Sequence, residues 1–149
     1  MNKRLVIFIA LLLLAFASCI PSKQTATQVP FKVANNYFVS NALGDGPLAN
    51  PIIESQNQFN SLFGMATTMG ENGKPTPINF DRQFVIALVG KVTDKPETYT
   101  LTSLTKDKEG LILTYKLAIA DKQTYTSQAS CLLIVERTFI NKIKLIKEN

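Results

Sequence analysis

Three hydrophobic patterns follow one another along the chain. Leu5 to Phe16 runs without a charged or polar residue. Beyond Val29, apolar residues mostly recur at alternate positions, as in strands with one buried face. Between Ser55 and Gly64 the spacing becomes helical, with Phe59, Leu62 and Phe63 on one side.

The alternating stretches define the strands. Phe31, Val33, Tyr37 and Val39 predict a first one. Phe84 to Val89 is continuously apolar between Gln83 and Gly90, which predicts a strand buried on both faces. Tyr99 to Leu104 alternates with Thr. Leu111, Leu113, Tyr115, Leu117 and Ile119 alternate with Ile112, Thr114, Lys116 and Ala118, so this strand has one solvent side. Cys131 to Val135 and Phe139 to Ile146 complete the set, with Lys142 and Lys144 facing outward. Asp107-Lys108-Glu109-Gly110 predicts a hairpin turn, with a glycine available for positive φ.

The helix has its own start and stop signals. Ser55 and Gln58 have the spacing of a capping box, and Gly64 can end the helix. Asn41 to Pro51 and Met65 to Asn79 are rich in loop residues, the latter holding Gly70, Gly73, Pro75 and Pro77. The order is strand, helix, then five strands. It predicts a mainly β (α+β) fold: an antiparallel sheet curled into a sandwich or open barrel, with one short helix packed on it.

The apolar run at the start belongs to a leader. Lys3 and Arg4 precede it, and Ala17 and Ser18 follow it. A basic start, a short apolar core and small exit residues are the parts of a secretory signal peptide. The run is shorter than the roughly 20 residues needed to span a bilayer. Phe16-Ala17-Ser18-Cys19 resembles a bacterial lipobox, which makes Cys19 a lipid (palmitate) attachment site after removal of residues 1–18. Ala15-Phe16-Ala17 also fits an A-x-A cleavage site. Residues 19–28 are polar and read as a lipid-anchored tether, leaving 29–149 as a single β-rich domain. The expected location is the bacterial cell envelope, at the outer membrane. Under lipidation Cys131 is left as a small packing residue. Under the alternative cleavage a Cys19–Cys131 disulfide is open to it.

Composition narrows the chemistry further. The net charge is +5, but Lys3 and Arg4 belong to the leader and the remaining basic residues are dispersed. That argues against nucleic acid, which calls for a dense basic stripe with stacking aromatics. The chain has no His. This removes Ser-His-Asp triads, Cys-His dyads and His-based metal sites. There is no phosphate-binding glycine motif either. Asp81, Asp94, Glu97, Asp107, Glu109 and Asp121 all fall near predicted turns, as solvated charges do. No catalytic, cofactor or metal residue is assigned, and a non-enzymatic role is expected.

Three segments carry a resemblance. Ile53-Glu54-Ser55-Gln56-Asn57-Gln58-Phe59 leads to Leu62-Phe63. Ile78-Asn79-Phe80-Asp81 follows, and then Phe84 to Gly90. Together they resemble the C-terminal domain of the protease complex subunit PrcB family, over roughly Ile53 to Leu145. Where that family places a Thr-Gly-Gly-Tyr turn, Thr93 to Tyr99 keeps the Tyr without a Gly. Its lipoprotein members associate with a surface protease and help stabilise it. The resemblance thus implies a non-catalytic envelope lipoprotein with a protein partner, a protease among the candidates. The loops Asn41–Pro51, Met65–Asn79 and Lys91–Thr98 are the expected contact surfaces, since rigid sheets bind mostly through loops. Within them Pro75, Thr76, Pro77, Asp94, Lys95 and Pro96 are the candidate contact residues. A protease inhibitor of small β-sandwich type, stiffened by Pro75-Thr76-Pro77, is the alternative.

Overall fold

The computed structural model describes residues 26–67, 69–70 and 73–149. The expected leader, Cys19 and the tether as far as residue 25 lie outside them. Ten strands and one α-helix are built from the described residues. In chain order the strands are β1 (Thr27–Gln28), β2 (Phe31–Ala34), β3 (Tyr37–Val39), β4 (Ile52–Ile53), β5 (Phe63–Met65), β6 (Gln83–Thr93), β7 (Glu97–Lys106), β8 (Leu111–Ile119), β9 (Ser127–Glu136) and β10 (Ile143–Glu148). The helix α1 spans Gln56–Leu62. Sheet I has the order β1-β7-β8-β10 and sheet II the order β2-β9-β6-β4, while β3 and β5 form a separate pair. Neither four-stranded sheet closes into a barrel. The fold is a sandwich-like α+β arrangement.

Strand β6 sits at its centre, and its unbroken apolar sequence is explained there. Phe84, Ile86 and Leu88 face sheet I and pack with Leu104, Leu111, Leu113, Leu133 and Val135. Val85, Ala87 and Val89 face the other way, against Phe59 and Phe63 of the helical layer. Phe84, Val85 and Ile86 are fully buried; burying a side chain of that size stabilises the fold by about 1.5–3 kcal/mol. Helix α1 therefore covers the back of sheet II. Its rings meet in tilted and edge contacts, Phe59 to Phe63 at 5.2 Å and Tyr37 to Phe59 at 5.0 Å. Ser55 Oγ accepts from Gln58 N at 3.2 Å, as its spacing suggests. The Gln58 side chain returns to Glu54 N at 3.2 Å, one residue earlier than in the usual box.

Four details depart from the sequence expectations. The first strand is two strands, because Asn36 takes φ 63° and turns the chain between β2 and β3; Asn is among the residues that tolerate this region best. Gly64 does not stop the helix. It lies in β5 opposite Phe38, where a Cβ would run into the Phe38 ring. Phe139 to Ile146 is not one strand but a 3-10 turn over Arg137–Phe139 followed by β10. And β10 pairs parallel with β8, so sheet I is mixed. After β9 the chain leaves sheet II, crosses through that turn and joins the other sheet, which reverses the pairing sense that a hairpin would impose. The sheet pairing also begins at Thr27, which with Gln28 bonds Lys106 and Thr105 of β7. Both residues are exposed and polar, so no hydrophobic pattern marks them.

Candidate functional site

Sheets I and II separate toward the end of the molecule where β6 finishes and β7 begins. A cleft of about 240 Å³ opens there. Its floor is the inner face of sheet I, with Tyr99, Tyr115, Leu117 and Leu145; its other wall is β6 from Ala87 to Lys91, with Pro47 and Leu48 at the side. The Tyr99 and Tyr115 rings touch at 5.6 Å between centroids.

The strand irregularities explain how these residues converge. Strand β7 has a register shift between Leu101 and Ser103. The extra residue there lets Tyr99, Leu101 and Leu104 all join the inner face. Strict alternation would have placed Ser103 inward instead. Strand β6 shifts register between Val89 and Val92. Gly90 lies in that irregular step, and a Cβ on it would collide with the Glu97 carboxylate and stand 3.1 Å from the Tyr99 hydroxyl. Glycine is what lets a carboxylate and a phenol rest against the β6 backbone at the cleft. Burial, with the neighbouring Glu97, Tyr115 and Cys131 adding, pushes the Tyr99 phenol up to about 12. It stays protonated and neutral at physiological pH.

Beyond Ile86, β4 no longer pairs with β6. The segment before β4 follows the strand instead. Ala87 N donates to Pro51 O at 2.8 Å and Val92 N to Asp45 Oδ1 at 2.8 Å. Gln128 Nε2 reaches Gly44 O at 3.2 Å and Gly90 O at 3.0 Å. Side-chain bonds thus hold the loop beside the cleft where a strand would otherwise lie. Large apolar side chains are exposed beside the cleft: Val92 (46%) and Ile119 (60%) at that end, and Leu145 (39%) farther along sheet I, level with Leu113.

The predicted contact loops divide accordingly. Asn41–Pro51 supplies Pro47, Leu48 and Pro51 to the cleft, and Lys91–Thr98 supplies Lys91 and Glu97. Asp94, Lys95 and Pro96 lie past the cleft, stapled to the β8–β9 connection. Gln123 N donates to Asp94 O at 2.8 Å, Ala120 N to Pro96 O at 2.9 Å, and Lys122 pairs with Asp94 at 2.9 Å. Lys95 is the exposed member of the three. Pro75, Thr76 and Pro77 are elsewhere, against the step between β2 and β3. Thr76 is buried, and three bonds hold it: Asn35 N donates to its Oγ1 at 3.0 Å, its own N donates to Asn35 O at 3.1 Å, and Tyr37 OH donates to its carbonyl at 2.7 Å. Its side chain is turned into the domain, while Pro77 is exposed. Among the described residues Cys131 has no disulfide partner; it lies at the edge of the core, and burial raises its pKa, which disfavours the reactive thiolate.

Sequence reasoning named the loops but not the sheet residues Tyr99, Tyr115, Leu117 and Leu145. In sequence they read as ordinary strand positions; the Leu101-to-Leu104 spacing of three is the sign of the bulge. Among the described residues no cluster of His, Cys, Asp or Glu could hold a metal ion. None of their helices is long and apolar enough to cross a membrane. No family model, curated protein or solved structure matches the chain.

Proposed function

We propose that this is a non-catalytic envelope lipoprotein, anchored through Cys19, whose sandwich binds a segment of a partner protein in the cleft between its sheets. The observation that carries the reading is the cleft itself. It is lined by tyrosines and leucines, and exposed Val92 and Ile119 lie at the same end. Large apolar groups in such a setting mark interaction sites. The aromatic residues supply contact area with little loss of side-chain freedom. The resemblance to the PrcB family, over roughly Ile53 to Leu145, favours a protease as the partner, and a stabilising role toward it.

Photo-crosslinking in the native envelope tests this. The full chain is expressed with a photoreactive residue at position 145, in the cleft, or at position 65, which is apolar and 70% exposed but outside it. A single adduct of defined mass is expected from position 145 and not from position 65. Its loss on Leu117→Asp ties the adduct to the cleft. Equal labelling from both positions, or an adduct indifferent to Leu117→Asp, would overturn the proposal.

A further inference from the structure

At the end of sheet I away from the cleft mouth, lysines from separate parts of the chain meet. Thr27 pairs with Lys106, Lys106 with Leu111, and Leu111 N donates to Lys142 O at 2.8 Å. Four neighbouring strand ends thus bring together Lys106, Lys108, Lys142 and Lys144. Lys106 Nζ stands 6.0 Å over the Phe139 ring. On sheet I the acidic residues of this end are Asp107 and Glu109; on sheet II, Glu54, Asp81 and Glu136 lie at the same end, with Glu54 paired to Arg137 and Glu136 accepting from Gln83 Nε2 at 3.1 Å. The Asp107 carboxylate is committed to the turn, accepting from Glu109 N at 2.8 Å and Gly110 N at 3.0 Å. Among the described residues the ion pairs are Lys122–Asp94 and Arg137–Glu54, so neither involves the four lysines. At the opposite end Lys91, Lys95 and Lys122 stand beside Asp45, Asp94, Glu97 and Asp121, and Lys122 is paired with Asp94.

The chain also enters the domain at the lysine-bearing end, because Thr27 lies beside Lys106. Cys19 precedes Thr27 by eight residues, and covalent geometry limits that stretch to about 28 Å. We infer that this end docks on the anionic lipid headgroups of the membrane that holds the N-terminal segment. The inference rests on the Cys19 anchor proposed above. Attachment keeps the lysines near the headgroups, so a weak attraction per lysine is enough to orient the domain. The attraction acts only within a Debye length, about 8 Å at physiological salt. Docked this way, sheet I holds the cleft mouth away from the bilayer. Nine residues of β7, about 30 Å of strand, separate Lys106 from Glu97.

Lysine footprinting tests it on the full chain, processed by its own host and reconstituted in nanodiscs. A water-soluble acetylating reagent is applied and each lysine quantified by mass spectrometry. In discs with about one-third phosphatidylglycerol, Lys106, Lys108, Lys142 and Lys144 are expected to react about three- to five-fold more slowly than in phosphatidylcholine discs. Lys91, Lys95 and Lys122 should react equally in both. The protection should vanish near 0.5 M NaCl, where the Debye length is about 4 Å. With Lys108→Glu and Lys144→Glu combined, Lys106 and Lys142 should lose their protection while the far lysines keep their rates, which reports an intact fold. A footprint that ignores lipid charge, or that falls on the far lysines, overturns the docking. The mass of the N-terminal peptide reports lipid on Cys19 separately. A lipidated chain with a uniform footprint keeps the anchor and sinks the docking. An unlipidated chain that shows the footprint on anionic vesicles does the reverse.

Discussion

Thr76→Val isolates one part-buried hydrogen bond in a segment that reads as loop. Valine keeps the shape of threonine and removes Oγ1. Asn35 N, which donates to that oxygen at 3.0 Å, is left without its acceptor in a site where Thr76 is only 9% exposed. Leaving a part-buried donor unsatisfied costs about 1–2 kcal/mol, the lower part of the range for buried groups. For a domain of this size that lowers Tm by roughly 4–8 °C. Thr76→Ser keeps the oxygen and loses one methyl, about 0.8 kcal/mol at most. Tyr37→Phe removes the 2.7 Å bond to the Thr76 carbonyl and should cost about 0.5–1.5 kcal/mol. Urea titrations of the three variants give the order directly: the midpoint falls most for Thr76→Val and least for Thr76→Ser, with unchanged slope. A Thr76→Val midpoint equal to that of the parent, or a Thr76→Ser as weak as Thr76→Val, would refute the clamp. In either case Pro75-Thr76-Pro77 would be free to serve as a contact loop.

Two further outcomes follow from the sheets. Gly110→Ala should destabilise strongly, because Gly110 has φ 147° and a Cβ there would strike the Lys142 carbonyl oxygen; thermal melting of the variant checks it, and an unchanged Tm would contradict the close approach of the hairpin to β10. Tyr99 makes stability fall with rising pH on the alkaline side. Its phenol ionises near pH 10 in the unfolded chain and near 12 in the fold, so between those values the unfolded state releases the proton first and gains. Below pH 10 the residue contributes no slope. Urea midpoints measured from pH 9 to 12 should fall less steeply in Tyr99→Phe, and parallel curves would count against the burial of the phenol.

The elements most visible in the sequence are those whose surroundings are uniform. Phe84 to Val89 announces itself because both faces of β6 are apolar. The Leu111 to Leu117 alternation does so because sheet I has one wet face. Ser55 and Gln58 mark the helix start through local bonds alone. What was hidden depends on partners distant in sequence. The backbone of Thr27 and Gln28 completes a sheet while their side chains stay in water. Gly64 reads as a helix stop until Phe38 is seen across from it. The parallel course of β10 is decided by which sheet the chain reaches after Phe139, and side-chain periodicity is the same in either direction. The cleft was hidden for a related reason. Tyr99 and Leu145 are ordinary inward-facing residues, and only the separation of the sheets leaves them uncovered.

Strand β10 links folding order to access. Sheet I is bounded at one margin by β1 and at the other by β10, the first and last strands among the described residues, so it is complete only when both are available. A growing chain can form the β7–β8 hairpin early but must wait for β10 before the sandwich is sealed. The same strand lends Leu145 to the cleft wall, which places position 149 a few residues from the mouth. An affinity tag or fluorescent fusion placed after Asn149 would emerge there and crowd the cleft mouth. A handle inserted into an exposed turn well away from the cleft would leave the mouth clear.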